Sequence, residues 1–257
     1  MTIHCVQCGA AKWDKEPPAL CCSSGKVRLP RLADPPPLLK QLMNDETIEA
    51  RHFRRHIRKY NASFQMTSFG ANTVTEAGFM PTFKIQGQIY HRIGSLLPLP
   101  NTRPQYLQVY FLGDHDAEAN VRCDSQQSTR LDVTMQLQNL LHANNTYIRS
   151  FKMALEREPV ACLRLKIDAD KKPPGEHPGR FNTPVCSEVA AITSEDQSNK
   201  RDIVLYSRGG GLQRVSETHR SYDALQYPLL LPYGEDGYHF AIPLTGRPAT
   251  KHWQRNT

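Results

Sequence analysis

Four of the seven cysteines fall within the first 22 residues, as Cys5-Val6-Gln7-Cys8 and Cys21-Cys22. A C-x₂-C turn brings two sulfurs within reach of one tetrahedral ion. The second pair, returning after a 12-residue loop, completes a set of four. That loop, Gly9 to Leu20, is too short and too polar to enclose a core. Ordering it costs about 1–2 kcal/mol of backbone entropy per residue, whereas a structural zinc contributes on the order of 10 kcal/mol of folding energy. The expectation is therefore a zinc site held by Cys5, Cys8, Cys21 and Cys22. Two other arrangements stand beside it: disulfides, or free thiols in an unordered start. Met1-Thr2-Ile3-His4 carries neither a basic nor an apolar leader region, so a reducing compartment is expected, where paired cysteines more often bind metal. Neighbouring side chains diverge in extended backbone, so adjacent Cys21 and Cys22 leave open His4 as a substitute ligand for one of them.

The rest of the chain is basic and loop-rich. Its net charge is +7, with 19 prolines and only 39% hydrophobic residues. This excludes a tightly wound α/β enzyme built on long apolar strands. No run approaches the roughly 18 apolar residues of a membrane span, so no membrane partner is expected. Surplus positive charge favours polyanionic partners. It is concentrated in Arg51-His52-Phe53-Arg54-Arg55-His56-Ile57-Arg58-Lys59-Tyr60, which holds five formal positive charges and no acid.

Read for organisation, residues 1–30 form the zinc module. Residues 31–45 form a proline-rich spacer (Pro35-Pro36-Pro37) with a short helix marked by Leu38, Leu39 and Leu42. A longer helix spans 46–62, with Ile48, Phe53, Ile57 and Tyr60 on its apolar face and the arginines opposite. His52 and His56, one turn apart, are read as part of the basic face. Strands are expected over 83–93, with Gly87 as a bulge, and over 105–112. A helix is expected over 130–157, with Asn144-Asn145 a point of interruption, then short strands at 162–168, 186–193 and 201–207. Gly209-Gly210-Gly211 fits a hairpin turn joining Ile203–Tyr206 to Leu212–Val215. Cys162 and Cys186 read as core, Lys171–Gly179 as an exposed loop. The fold class is α+β: a small zinc module followed by a mixed helix and antiparallel-sheet domain.

The chain lacks the nucleophile elbow, the H-E-x-x-H zinc motif, the dinucleotide fingerprint and the Walker A loop; Leu20 and Val27 occupy the positions around Gly25-Lys26 where a Walker A needs glycine and a hydroxyl residue. Its residues point to binding rather than catalysis.

Several islands together resemble the amino-terminal region of the Helitron transposase, the rolling-circle replication initiator–helicase of eukaryotic DNA transposons. They are Cys5 to Ala10 with Trp13 and Glu16; Cys21-Cys22 with Gly25 to Pro30; Phe53-Arg54, Ile57-Arg58 and Tyr60-Asn61-Ala62; and Thr67 to Gly70. Phe83 to Pro98 is the most diagnostic; Ser187 to Ile192, Arg201 to Val204, Gly210 to Glu217 and Ser221 to Tyr238 follow in order. The resemblance implies a Helitron amino-terminal domain over 46–243 and a tail over 244–257 leading toward a nuclease domain. It also implies a nuclear location and, in full-length relatives, a nuclease with a tyrosine nucleophile and an ATP-dependent helicase.

The resulting expectation is a DNA-binding or DNA-positioning region. Phosphates would be contacted by Arg51, Arg54, Arg55, Arg58 and Lys59, and bases would stack on Phe83, Tyr90, Tyr106 or Tyr110. Two alternatives remain: a docking scaffold for a nuclease–helicase, presenting Tyr222, Tyr227, Tyr233 and Tyr238, or a fragment of an active nuclease–helicase whose catalytic part lies further along.

Overall fold

The computed structural model describes residues 3–29, 31–75, 83–93, 96–98, 101–157, 164–167, 189–191, 203–206, 213–215, 218–240, 242 and 244. Contacts divide the chain into two units. The first takes in Met1–Ala33 and the carboxy-terminal stretch from His239; the second takes in Asp34–Pro173 and Asn182–Tyr238.

The first unit holds a two-residue hairpin, β1 (Ile3–His4) against β2 (Ala11–Lys12). Val27 forms an antiparallel bridge to Leu244. Among its described residues Cys22 is the buried side chain, at 3% exposure, while Val6, Trp13 and Leu20 face solvent.

Helices dominate the described part of the second unit. Helix α1 (Pro37–Asn44) starts on a proline at its first position, where the missing N–H costs nothing, and buries Leu39 and Leu42. Helix α2 (Ile48–Phe64) opens on Thr47, whose hydroxyl accepts the Ala50 N–H. Its inward stripe is Ala50, Phe53, Tyr60, Ser63 and Phe64. Ile48 and Ile57, expected in that stripe, are 64% and 36% exposed. Two antiparallel strands follow, β3 (Ser68–Thr75) and β4 (Phe83–Ile93). Their register shifts between Gly70 and Asn72, opposite the Gln86–Tyr90 stretch that contains Gly87.

Residues 105–112, expected as a strand, instead contain a 3₁₀ turn over Tyr106–Phe111, with Tyr106 in the left-handed region (φ +52°). It buries Leu107, Val109 and Phe111, which alternate as a strand's would, and also Tyr110, which alternation would have turned outward. Helix α3 (His115–Ser125), capped by Asp114, has no counterpart in the sequence reading. The helix expected over 130–157 is two, α4 (Leu131–Asn144) and α5 (Thr146–Arg157), broken at Asn145. The Asn145 carboxamide oxygen accepts the Tyr147 and Ile148 N–H groups and so caps α5.

Strands β5 (Arg164–Ile167), β6 (Val189–Ala191) and β7 (Ile203–Tyr206) make an antiparallel sheet in the order β6-β5-β7. Strand β8 (Gln213–Val215) pairs instead with β4. The expected β7–β8 hairpin therefore does not form: those strands sit in different sheets. Cys162, Cys186, Gly209–Gly211 and the 171–179 loop lie outside the described residues. Helix α6 (Tyr222–Gln226) closes the unit and buries Tyr222 and Leu225. Coarsely, the architecture is α+β.

The core is unusual in one respect. Arg122 on α3 is 1% exposed. Its guanidinium lies over the Phe64 and Tyr110 rings at 4.7 and 4.2 Å. It donates to the Ser63 carbonyl (2.8 Å) and the Gln138 side-chain oxygen (3.1 Å). Glu118, also buried, stands 3.8 Å away as its counter-charge. One side chain thus ties α2, α3, α4 and the 3₁₀ turn together. Burial pushes the Tyr110 phenol up to about 12, and its hydroxyl donates to the Phe64 carbonyl. Arg122→Ala would break the bonds to Ser63 and Gln138 and leave the buried Glu118 carboxylate with only His142 Nε2, 3.3 Å away, a loss of about 3–5 kcal/mol. Urea unfolding should register it, and a change below about 0.5 kcal/mol would show that Arg122 does not bind these elements together.

Candidate metal centre and cationic helix

The Cys5–Cys8 turn is built by the backbone. The Cys5 N–H donates to the Ala10 carbonyl and the Gly9 N–H to the Cys5 carbonyl, both at 2.8 Å. Gly9 takes φ +72°, which a side chain would resist. The closed turn directs the Cys8 and Gln7 amides at the Cys5 sulfur.

The second pair sits in coiled rather than extended backbone. Ala19, Ser23 and Ser24 adopt φ +70°, +49° and +58°, and the Ser23 N–H donates to the Ala19 carbonyl at 2.7 Å. Coiling turns both adjacent sulfurs to the same side, which removes the divergence expected of neighbouring residues. Three non-glycine residues in the left-handed region cost about 1–2 kcal/mol each. Something outside the local hydrogen bonds must offset that cost. Gly25, at φ +83°, sends its N–H to the Cys22 sulfur at 3.2 Å, and a Cβ there would meet Gln7 Oε1 at 3.0 Å.

All four ligand atoms lie within 4.8 Å of one another. Cys5 and Cys22 sulfurs are 3.8 Å apart, and Cys21 and Cys22 sulfurs 3.9 Å. A disulfide needs about 2.05 Å. A tetrahedral ion with metal–sulfur bonds of about 2.3 Å has an edge of about 3.8 Å. The spacing fits one shared metal ion, and the four cysteines can hold it. His4, on strand β1, is exposed and outside this grouping.

The thiols divide electrostatically. The Cys8 and Gln7 amides, with the Cys21 thiol, hold the Cys5 thiol down at about 6. Sharing a proton with Cys5, together with burial, pushes Cys21 up to about 12. At Cys22 the Gly25 amide pulls downward, but burial and the Cys8 and Cys5 sulfurs outweigh it and the thiol is raised. Four sulfurs this close cannot all ionise without a cation among them. A divalent ion supplies that charge, so metal binding here must release protons and weaken as pH falls.

The structure separates the five cations of residues 51–59. Arg54 turns back onto the end of α1, donating to the Leu42, Met43 and Asp45 carbonyls and pairing with Glu46. It satisfies carbonyls that a helix end leaves open. Lys59 donates to the Gln127 carbonyl (2.9 Å) and the Ser128 hydroxyl (3.3 Å). Arg51, Arg55 and Arg58 are exposed and make no hydrogen bond or ion pair among the described residues. Arg51 and Arg55 lie one turn apart on α2, and Arg58 follows three residues on, past the non-helical residue His56. An open groove of ≈ 530 Å³ lies at the first turns of α2, lined among the described residues by Ile48, Arg51, His52, Arg54 and Arg55.

His52 does not contribute a charge to the basic face. The Arg130 N–H donates to the Tyr60 hydroxyl (3.0 Å), leaving the phenol proton for His52 Nδ1 at 2.9 Å, an arrangement that suits a neutral ring. Burial, then the nearby His56 and Arg130, lower its pKa. His56 marks a kink in α2 (φ −115°, ψ 18°), and its Nδ1 donates to the His52 carbonyl at 3.1 Å. Of the aromatics expected to stack bases, Tyr110 is core and Tyr106 is 38% exposed; the side chains of Phe83 and Tyr90 lie outside the described residues. Tyr222 is buried and Tyr233 donates to the Asp34 carbonyl (2.8 Å), which leaves Tyr227 and Tyr238 outward.

No family model matches this sequence, and no curated protein is found similar to it.

His142 in the core also has its pKa lowered, chiefly by burial and against the pull of Glu118. For both histidines the unfolded ring, titrating near 6.5, binds protons in a range where the folded ring does not. Stability is therefore full above about pH 7 and falls as pH drops toward about 5. Chemical denaturation across that range should show the decline. Replacing both His52 and His142 with Gln should flatten it, and an unchanged slope in the double variant would contradict the assignment.

Proposed function

We propose that this chain is a zinc-headed nucleic-acid-binding protein of the Helitron transposase type, acting in the nucleus as a DNA-binding or DNA-positioning region and performing no strand cleavage itself. Zinc is the ion favoured by four thiolates in a tetrahedral arrangement with single-ion spacing; iron–sulfur clusters are the other occupants of all-sulfur sites. The resemblance in sequence supports the family reading, and the net charge of +7 supports a polyanionic partner.

The observation that carries the reading is that Arg51, Arg55 and Arg58 stand exposed on α2 with no ion pair among the described residues. Cations held on a helix without an acidic partner lose no ion pair when they meet a phosphate. Each contact releases condensed counterions, so affinity falls as salt rises. Arg54 and Lys59 contribute differently, by holding α2 to the end of α1 and to the turn before α4. The docking-scaffold alternative draws less support, because Tyr222 and Tyr233 of its expected surface are engaged within their own unit.

Binding of single-stranded DNA measured at several salt concentrations tests the proposal. Replacing Arg51, Arg55 and Arg58 together with Ala should reduce the slope of log affinity against log salt by about 2, at roughly 0.7 per phosphate contact. Lys59→Ala should leave the slope nearly unchanged. A triple variant with the parent slope would remove the phosphate contacts from this helix.

A further inference from the structure

Trp13 follows directly on strand β2, whose last residue is Lys12. Glu16 clamps its main chain from both sides. The Trp13 N–H donates to the Glu16 carboxylate and the Glu16 N–H to the Trp13 carbonyl, each at 3.1 Å. The backbone is therefore fixed, yet the indole stays 65% exposed. Tryptophan is largely covered in most folded proteins. A turn that fixes the backbone and leaves the indole open to solvent presents a flat aromatic face at no further backbone ordering cost.

Its surroundings narrow what that face receives. Lys12 and Lys15 flank it, and residues 1–33 also hold Lys26, Arg28 and Arg31, against Asp14 and Glu16. The Glu16 carboxylate is already committed to the Trp13 backbone. Arg28 and Arg31 make no hydrogen bond or ion pair among the described residues. An apolar protein surface laid over this turn would desolvate the lysines without compensation. A nucleotide answers both features, with a base for the indole face and a phosphate for the flanking cations.

We propose that Trp13 is a stacking platform for an unpaired nucleobase, which makes single-stranded nucleic acid the ligand of the metal-bearing unit. This rests on the nucleic-acid reading above and goes further, assigning base contact to a residue remote in sequence from the cationic helix. Duplex DNA keeps its bases stacked on one another and offers the indole little.

The chain has two tryptophans, Trp13 and Trp253. In a full-length, zinc-loaded Trp253→Phe variant the emission comes from Trp13 alone. Two probes of equal length are titrated into it: an oligothymidylate and an abasic deoxyribose-phosphate strand. The oligothymidylate should quench the emission saturably; the abasic strand should bind with a similar salt slope and leave the emission unchanged. In the parent chain, read by anisotropy of labelled strands, Trp13→Ala should weaken oligothymidylate binding by about tenfold with the abasic strand unaffected. Trp13→Phe should keep most of the affinity, which guards against a folding defect in the alanine variant. Oligothymidylate binding without quenching, or equal weakening of both strands by Trp13→Ala, overturns the stacking assignment while the cationic-helix reading stands. Failure of both strands to bind overturns both.

Discussion

A stretch of some thirty residues with one well-buried side chain, Cys22, cannot be ordered by the hydrophobic effect. What gathers it is four sulfurs within 4.8 Å. The hairpin of β1 and β2, the left-handed residues at Ala19, Ser23 and Ser24, and the amides of Cys8 and Gly25 all point sulfurs to one place. Without a cation there, the same geometry sets thiols against each other, with Cys5 low and Cys21 high. A bound ion converts that conflict into folding energy.

The second unit solves its problem differently. It has a conventional apolar cluster running from Leu39 to Leu231, but a buried guanidinium sits inside it. Arg122 gives the helices a directional joint that aliphatic packing lacks, because its donors reach Ser63 and Gln138 at fixed angles. Arg54 plays a similar part at the surface by closing the open carbonyls of α1. Arg122 and Arg54 therefore hold structure together, as do Arg130, paired with Glu49 and Asp132, and Arg220, paired with Asp236, whereas Arg51, Arg55 and Arg58 on α2 make no ion pair among the described residues.

Cysteine spacing made the metal site legible, since ligand geometry is local and the pattern tolerates few other uses. The Cys21-Cys22 adjacency looked unfavourable only because an extended backbone was assumed; Ala19, Ser23 and Ser24 in left-handed conformations are not announced by residue type. Helix α2 was legible from Phe53 and Tyr60, whereas the fate of Arg54 depended on where α1 ends, a tertiary fact. Helix α3 escaped notice for a physical reason. Its buried positions are Glu118, Ala119 and Arg122, so the periodicity that reveals a helix is written there in charged residues. The 3₁₀ turn at Tyr106–Phe111 carries an aromatic run that mimics a strand, and strand pairing around the glycine triplet was settled by distant partners, β4 and β5.

Hydrogen exchange on the purified chain, before and after removal of metal by a chelator, tests the central claim most directly. The account predicts one zinc per chain, and protection of residues 3–29 that disappears with the zinc while α2 and α4 stay protected. Protection of that segment in a chain free of metal would contradict it.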